Sequence, residues 1–138
     1  MEDAFSLLWA GLYFKDEPIY QKAKGLLLRE LAEQLLPDGA HYEQSPMYHC
    51  ILLDRLLDCY NVSMNNLRFI GQEGLNERLR EKASGMLGHL ASVVYKDNTI
   101  PLLNDSAEGI APSPTQLFAY AKRLDMDWER LPMGACGY

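Results

Sequence analysis

The run Leu75-Asn76-Glu77-Arg78-Leu79-Arg80-Glu81-Lys82-Ala83-Ser84-Gly85-Met86-Leu87-Gly88-His89-Leu90-Ala91-Ser92-Val93-Val94 decides the fold class. Leu75, Leu79, Ala83, Met86, Leu90 and Val94 recur at spacings of three and four, which gathers them on one face of a helix. A strand needs strict alternation, and almost nothing in the chain alternates. Upstream lies a polar connection from Asn61 to Gly74, preceded by Ser45-Pro46. Serine is a favoured N-cap and proline a favoured first helical residue, so this pair predicts a helix start. That helix carries Leu53, Leu56, Leu57 and Tyr60 on its buried face. Further back, a helix opens at Asp16 or Glu17 with Pro18, runs through Tyr20, Ala23, Leu27, Leu31 and Leu35, and stops at Pro37-Asp38-Gly39. The first stripe is Phe5, Leu8, Trp9 and Leu12, with only Asp3 before it to act as a cap.

Downstream, the helix of Leu75 is expected to end near Lys96 to Asn98. A long connection, Thr99 to Pro112, follows, and such loops in compact domains tend to be functional or packed against a partner. Ser113-Pro114 repeats the helix-start signal, and Leu117, Ala121 and Leu124 give a short fifth helix. The tail Asp125 to Tyr138, with Pro132, Gly134 and Gly137, shows no regular pattern. The expected fold is all-α: four or five antiparallel helices joined as αα-hairpins in a single helical domain, 1–138, with no linker. No heptad is sustained, which argues against a coiled coil. The abrupt start suits a hairpin set belonging to a toroid or solenoid, where each unit buries its face against a neighbour.

Composition narrows the function. The 138 residues suffice for one domain, and 48% apolar with 23% charged side chains supports a buried core. A net charge of -6 argues against a nucleic-acid partner, which needs a basic stripe to hold phosphates. Met1-Glu2-Asp3 is acidic where a secretory leader would be basic. The apolar run Ala4 to Phe14 falls short of the ~20 residues that cross a bilayer. No membrane association and a cytoplasmic location by default are the expectations. Cys50 and Cys59 sit nine residues apart on one helix, about 13 Å along its axis, and cannot pair with each other. With Cys136 they suit a reducing compartment as free thiols.

Chemistry-bearing residues concentrate in one place. Asp38-Gly39-Ala40-His41-Tyr42-Glu43-Gln44-Ser45-Pro46-Met47-Tyr48-His49 packs two histidines, two tyrosines and a glutamate into a turn and a first helical turn. One reading is a site at a helix N-terminus, where free N–H groups favour an anion and Tyr and His can move protons. The other is structural, with Tyr42 and Tyr48 packed on a neighbouring helix and the histidines at the edge. No recognised metal-ligand spacing appears among His41, His49, Cys50 and His89, and no metal or cofactor is expected. Arg29, Arg55, Arg68, Arg78, Arg80 and Lys82 alternate with acids and describe solvated helix faces. Trp9 belongs to an apolar stripe, which leaves Trp128 as the better candidate to stack on a sugar.

The segment from Leu36 to His49, with Ser45-Pro46-Met47-Tyr48-His49 at its heart, resembles the hallmark of the heparinase II/III-type polysaccharide lyases. Ala10-Gly11-Leu12-Tyr13-Phe14 is similar to the family's preceding helix. Ile100-Pro101-Leu102-Leu103-Asn104-Asp105-Ser106 is similar to its loop before the last toroid helices. Gly137-Tyr138 looks like the entry to the family's β-sandwich. The resemblance implies part of an incomplete (α/α) toroid, corresponding to its C-terminal part. It also implies β-elimination on an acidic, uronate-containing polysaccharide of the heparan sulfate, heparin or alginate type. It assigns proton transfer to Tyr48, with His41 and His49 as local support and Glu43 orienting one of them in substrate binding.

That chemistry needs a donor on the uronate carboxylate, a base at C5 and an acid at O4. In the family an upstream Asn-His pair and the β-sandwich supply further groups, and neither is in this sequence. The chain therefore reads as a toroid fragment that is inactive alone, whose full-length relatives are often periplasmic or secreted. The alternative is a catalytically inactive helical module that binds carbohydrate or another protein. Either way, exposed toroid edges on the first and last helices are expected to drive self-association.

Overall fold

A computed structural model of the protein describes residues 1–131, and within them the fold is all-helical with no strand. The tail residues Pro132, Gly134 and Cys136 and the Gly137-Tyr138 ending lie outside the described residues. Five helices are described: α1 (Glu2–Phe14), α2 (Glu17–Gln34), α3 (Pro46–Met64), α4 (Gln72–Val93) and α5 (Pro114–Arg123).

Helices α1 and α2 form the first hairpin. Lys15 ends α1 in the left-handed region, φ 58°, and the Asp16 side chain accepts from the Ile19 amide at 2.9 Å to start α2. The hairpin is tight because Gly11 faces the backbone of Tyr20. A Cβ there would lie 2.7 Å from the Tyr20 nitrogen. Helix α1 starts at Glu2, earlier than Asp3 as a cap would give, and Met1 makes no side-chain cap bond.

Helices α3 and α4 form the second hairpin, and α5 lies on α3. The expected polar connection from Asn61 to Gly74 shrinks to 65–71. Its first residues stay helical because tertiary partners hold them: Asn61 Nδ2 donates to the Tyr120 hydroxyl at 3.1 Å, and Tyr120 donates to Asp58 at 2.8 Å. The rest of the connection wraps a wholly buried Gln72. Its amide donates to the Ser63 carbonyl at 2.9 Å, and its oxygen accepts from Arg68 N at 2.9 Å. Helix α4 ends at Val93, short of Lys96.

One core joins both hairpins. Phe5, Leu8, Leu12, Tyr20, Leu27, Leu31, Leu53, Leu56, Leu57, Leu75, Leu79 and Met86 are all buried within it. Each such leucine contributes about 1.5–3 kcal/mol of transfer free energy. Truncating Leu57 to alanine costs about 2–5 kcal/mol. The apolar faces of α1 and α5 were expected to lie open, but Phe5, Leu8, Leu12, Leu117 and Ala121 are buried. The exposed large apolar side chains include Tyr13 and Phe14 at the end of α1 and Ile70 before α4. Trp9 is half-buried against the core, and Trp128 stacks on Phe118 with ring centroids 5.4 Å apart. No helix is long and apolar enough to cross a membrane among the described residues.

Candidate functional site

The chemistry-bearing segment is built by a turn, a cap and a loop. After α2, the chain doubles back over Leu36 to Ala40: Leu36 N donates to Ala40 O at 2.9 Å, and Tyr42 N to Gln34 O at 2.9 Å. Gly39 sits at φ 80° and its Cα presses on the Gly85 carbonyl of α4, an approach closed to any side chain. This contact holds the turn on α4. Asp38 is buried in it and accepts from the Ala40 amide at 3.2 Å.

At the head of α3, Ser45 Oγ accepts from the Tyr48 amide at 3.4 Å. The long connection reaches back sixty residues to finish the cap. Ser106 Oγ lies 3.0 Å from Ser45 Oγ and accepts from the Met47 amide at 3.2 Å. Asn104, at φ 51°, donates to the Gln44 carbonyl at 2.8 Å. The expected anion site of free N–H groups is therefore filled: serine hydroxyls from two segments already occupy the Met47 and Tyr48 amides.

Tyr48 and His49 then diverge. Successive helical residues project about 100° apart, so neighbours in sequence serve different walls. Tyr48 is half-buried and lines an open cleft of about 820 Å³ with Glu43, Ser45, Asn104 and Asp105. Glu43 is exposed, and its carboxylate accepts from the Tyr42 hydroxyl at 3.1 Å. No basic side chain is among the residues lining this cleft.

His49 instead turns inward. Its Nε2 meets the Met86 carbonyl at 2.9 Å, and its ring lies 5.2 Å from that of His89 on α4. His41 joins them on the wall of a second cavity, of about 260 Å³, whose apolar sides include Pro46, Leu90, Val93, Pro101 and Leu103. Burial pushes all three imidazoles below their ordinary basicity. His49 is driven down to about 3 by burial first and by repulsion from His89 second, against the opposing pull of the Met86 carbonyl. All three are neutral at pH 7.

The structural reading made from sequence is thus inverted: Tyr42 is half exposed and Tyr48 borders solvent, while His41 and His49 go inside. Of the four site residues expected, Tyr48 and Glu43 come together in one cleft, and His41 and His49 come together in another. Asn104 and Asp105 also line the Tyr48 cleft, and the sequence does not single them out, although the length of the Thr99 to Pro112 connection suggests a loop that is functional or packed against a partner. Nothing in the spacing of His89 ties it to His49, forty residues earlier. No group of three or more metal-binding side chains occurs among the described residues.

Comparison with curated proteins and with solved structures found no match. A family model does match, over residues 7–128, which takes in α2 to α5, most of α1, the Ser45 to His49 head of α3 and the loop that caps it. By that match the chain belongs to the heparinase II/III N-terminus family.

Proposed function

We propose that this domain is the toroid part of a polysaccharide lyase and that Tyr48 transfers a proton during β-elimination on a uronate-containing polymer. In that reaction the C5 proton leaves to a base, the C4–O4 bond breaks as the C4=C5 double bond forms, and O4 departs with a proton. The observation that supports the reading is the position of Tyr48: a phenol on the first turn of a capped helix, bordering an open polar cleft. General acid–base groups act from such a place because they must reach substrate while the scaffold stays rigid. His41 and His49 contribute from behind the cap rather than within the cleft, and Glu43 is the carboxylate that shares the cleft with Tyr48.

A second reading is favoured by one feature. The cleft presents Glu43 and Asp105 and no cation, the wrong sign to neutralise a uronate carboxylate. The chain as a helical carbohydrate-binding or protein-interaction module without catalysis fits that charge, with self-association through Tyr13, Phe14 and Ile70 as its structural counterpart.

Alginate, heparin and heparan sulfate, incubated with the protein while the ultraviolet absorbance of the new double bond is followed, separate the readings. A signal on any one polymer would carry the lyase reading beyond the inactive fragment expected of the chain alone, and it should fall at least about a hundredfold in Tyr48→Phe. Saturable binding with no signal selects the binding module. A signal that survives Tyr48→Phe removes the role of Tyr48.

A further inference from the structure

Among the described residues, Lys15, Gln44, Asn98, Asn104 and Asp125 adopt the left-handed region without being glycine. Lys15 closes α1 and Asp125 follows the end of α5, where left-handed residues are usual. Asn98 lies in the tight turn that Tyr95 and Thr99 close. Gln44 and Asn104 end no helix. They touch each other across sixty residues, and both belong to the walls of the Tyr48 cleft: Asn104 lines it, and Gln44 joins Glu43 to Ser45, which line it too. Such conformations persist only where the surrounding structure holds them, and they gather at functional sites.

The two residues differ in what holds them. Asparagine tolerates positive φ through its short polar side chain, and glutamine does not share that tolerance. Gln44, at φ 54°, is therefore held by its neighbours. The Asn104 side chain supplies the hold: its Nδ2 donates to the Gln44 carbonyl at 2.8 Å and reaches the Glu43 carbonyl at 3.4 Å. Both partners can only accept, so the nitrogen and not the oxygen of the amide faces them. The ladder of α3 begins one residue later, where the Ser45 carbonyl accepts from His49 N. Beyond Asn104 the loop keeps step with the chain, with Ser106 on Ser45 and Met47, and Ala107 N on the Met47 sulfur at 3.4 Å. Rotation at Gln44 swings Glu43, on one side, against Ser45 and Tyr48 on the other.

We propose that Asn104 is a positioning residue for the Tyr48 cleft: its side-chain amide keeps Gln44 left-handed and thereby sets the Glu43 wall against Tyr48. The role presupposes the choice of this cleft as the working site under the lyase reading. Without the amide, Gln44 relaxes to negative φ and Glu43 leaves the wall, while the helices stay in place.

Strain held by a hydrogen bond is repaired by glycine at the strained position, because glycine adopts positive φ at no steric cost. Protein labelled at tyrosine ring carbons and backbone nitrogen carries the test. Asn104→Gly should move the Tyr48 ring resonances and quicken amide exchange at Gln44 and Tyr48 about tenfold, with α4 still protected. Asn104→Asp tolerates the same φ without a donor and adds no loop freedom, so it makes the same test should the glycine variant not fold. Gln44→Gly alone should leave the Tyr48 ring in place. Added to either Asn104 variant, it should bring the ring resonances and both exchange rates back towards those of the parent. An ordinary loop contact, lost at 104, would not be repaired at 44. Tyr48 ring signals that stay in place in a folded Asn104 variant, or exchange that Gln44→Gly fails to slow, would overturn the role of Asn104. Elimination is read nowhere in this cycle, so a silent absorbance assay removes the lyase reading and leaves the positioning of the cleft decided on its own measurement.

Discussion

Tyr48 and His49 are adjacent in sequence, yet the cleft and the cavity they serve differ in almost every physical respect. The Tyr48 cleft is open and polar, bounded by two carboxylates and closed from below by the Ser45–Ser106 cap. The His49 cavity is smaller and mostly apolar, and its titratable side chains are imidazoles held neutral by burial. A helix rotates about 100° per residue, so a motif that is continuous in one dimension becomes a cleft and a cavity in three. Accessible groups that can exchange protons fall on one side, and groups fixed in their uncharged form on the other.

Acid should expose that difference most strongly. His49 faces His89, His41 and Asp38, and burial takes its folded pKa from 6.5 to about 3. The unfolded chain therefore binds more protons than the folded one between those values, and stability falls as pH drops from about 6.5 towards 3. His41 and His89 shift in the same direction and add to the loss. Urea unfolding midpoints measured from pH 7 to pH 4 should fall by an amount equivalent to a few kcal/mol. His49→Gln should flatten the dependence, and a midpoint that stays level in the parent protein would contradict the buried neutral cluster.

The next largest effect belongs to the turn that carries His41. At Gly39, alanine meets both a positive φ and the Gly85 carbonyl. The left-handed conformation alone costs about 1–2 kcal/mol, so Gly39→Ala is expected to lower stability by about 2 kcal/mol or more. Gly25→Ala on the exposed face of α2, where a Cβ meets nothing within 4 Å, should instead stabilise by about 0.5–1 kcal/mol. Thermal melts of the two variants moving the same way would refute this contrast.

The smallest effect lies at the cap, where Ser45 lines both the cleft and the cavity. Ser106→Ala removes the acceptor for Met47 N and the partner of Ser45, at about 1 kcal/mol. Its signature is local: amide exchange should quicken at Met47 and across 104–107 while α4 stays protected. Uniform change over the whole chain would make Ser106 an ordinary surface serine.

Much of this architecture could be read from local chemistry. Asp16, Ser45 and Ser113 each cap a helix followed by an early proline, and all three helices start there. The buried faces of α3 and α4 followed from periodicity, because apolar spacing and burial are the same information. Boundaries failed where tertiary partners outvoted local preference. Asn61 stays helical through Tyr120, and Gln72 opens α4 because its side chain is buried among 63–69. At the candidate site, the density around Tyr48 was visible, but its division was not. Asn104 and Ser106 reach Gln44 and Ser45 across some sixty residues, and His89 meets His49 across forty. No local pattern encodes contacts at that separation.

The division itself can be measured on one sample. Protein labelled at tyrosine and histidine ring carbons is titrated with alginate and heparan sulfate oligosaccharides and followed by NMR. Contact at the cleft should shift the Tyr48 ring resonances saturably while those of His49 and His89 stay in place. Histidine signals that move while Tyr48 remains still would contradict the account.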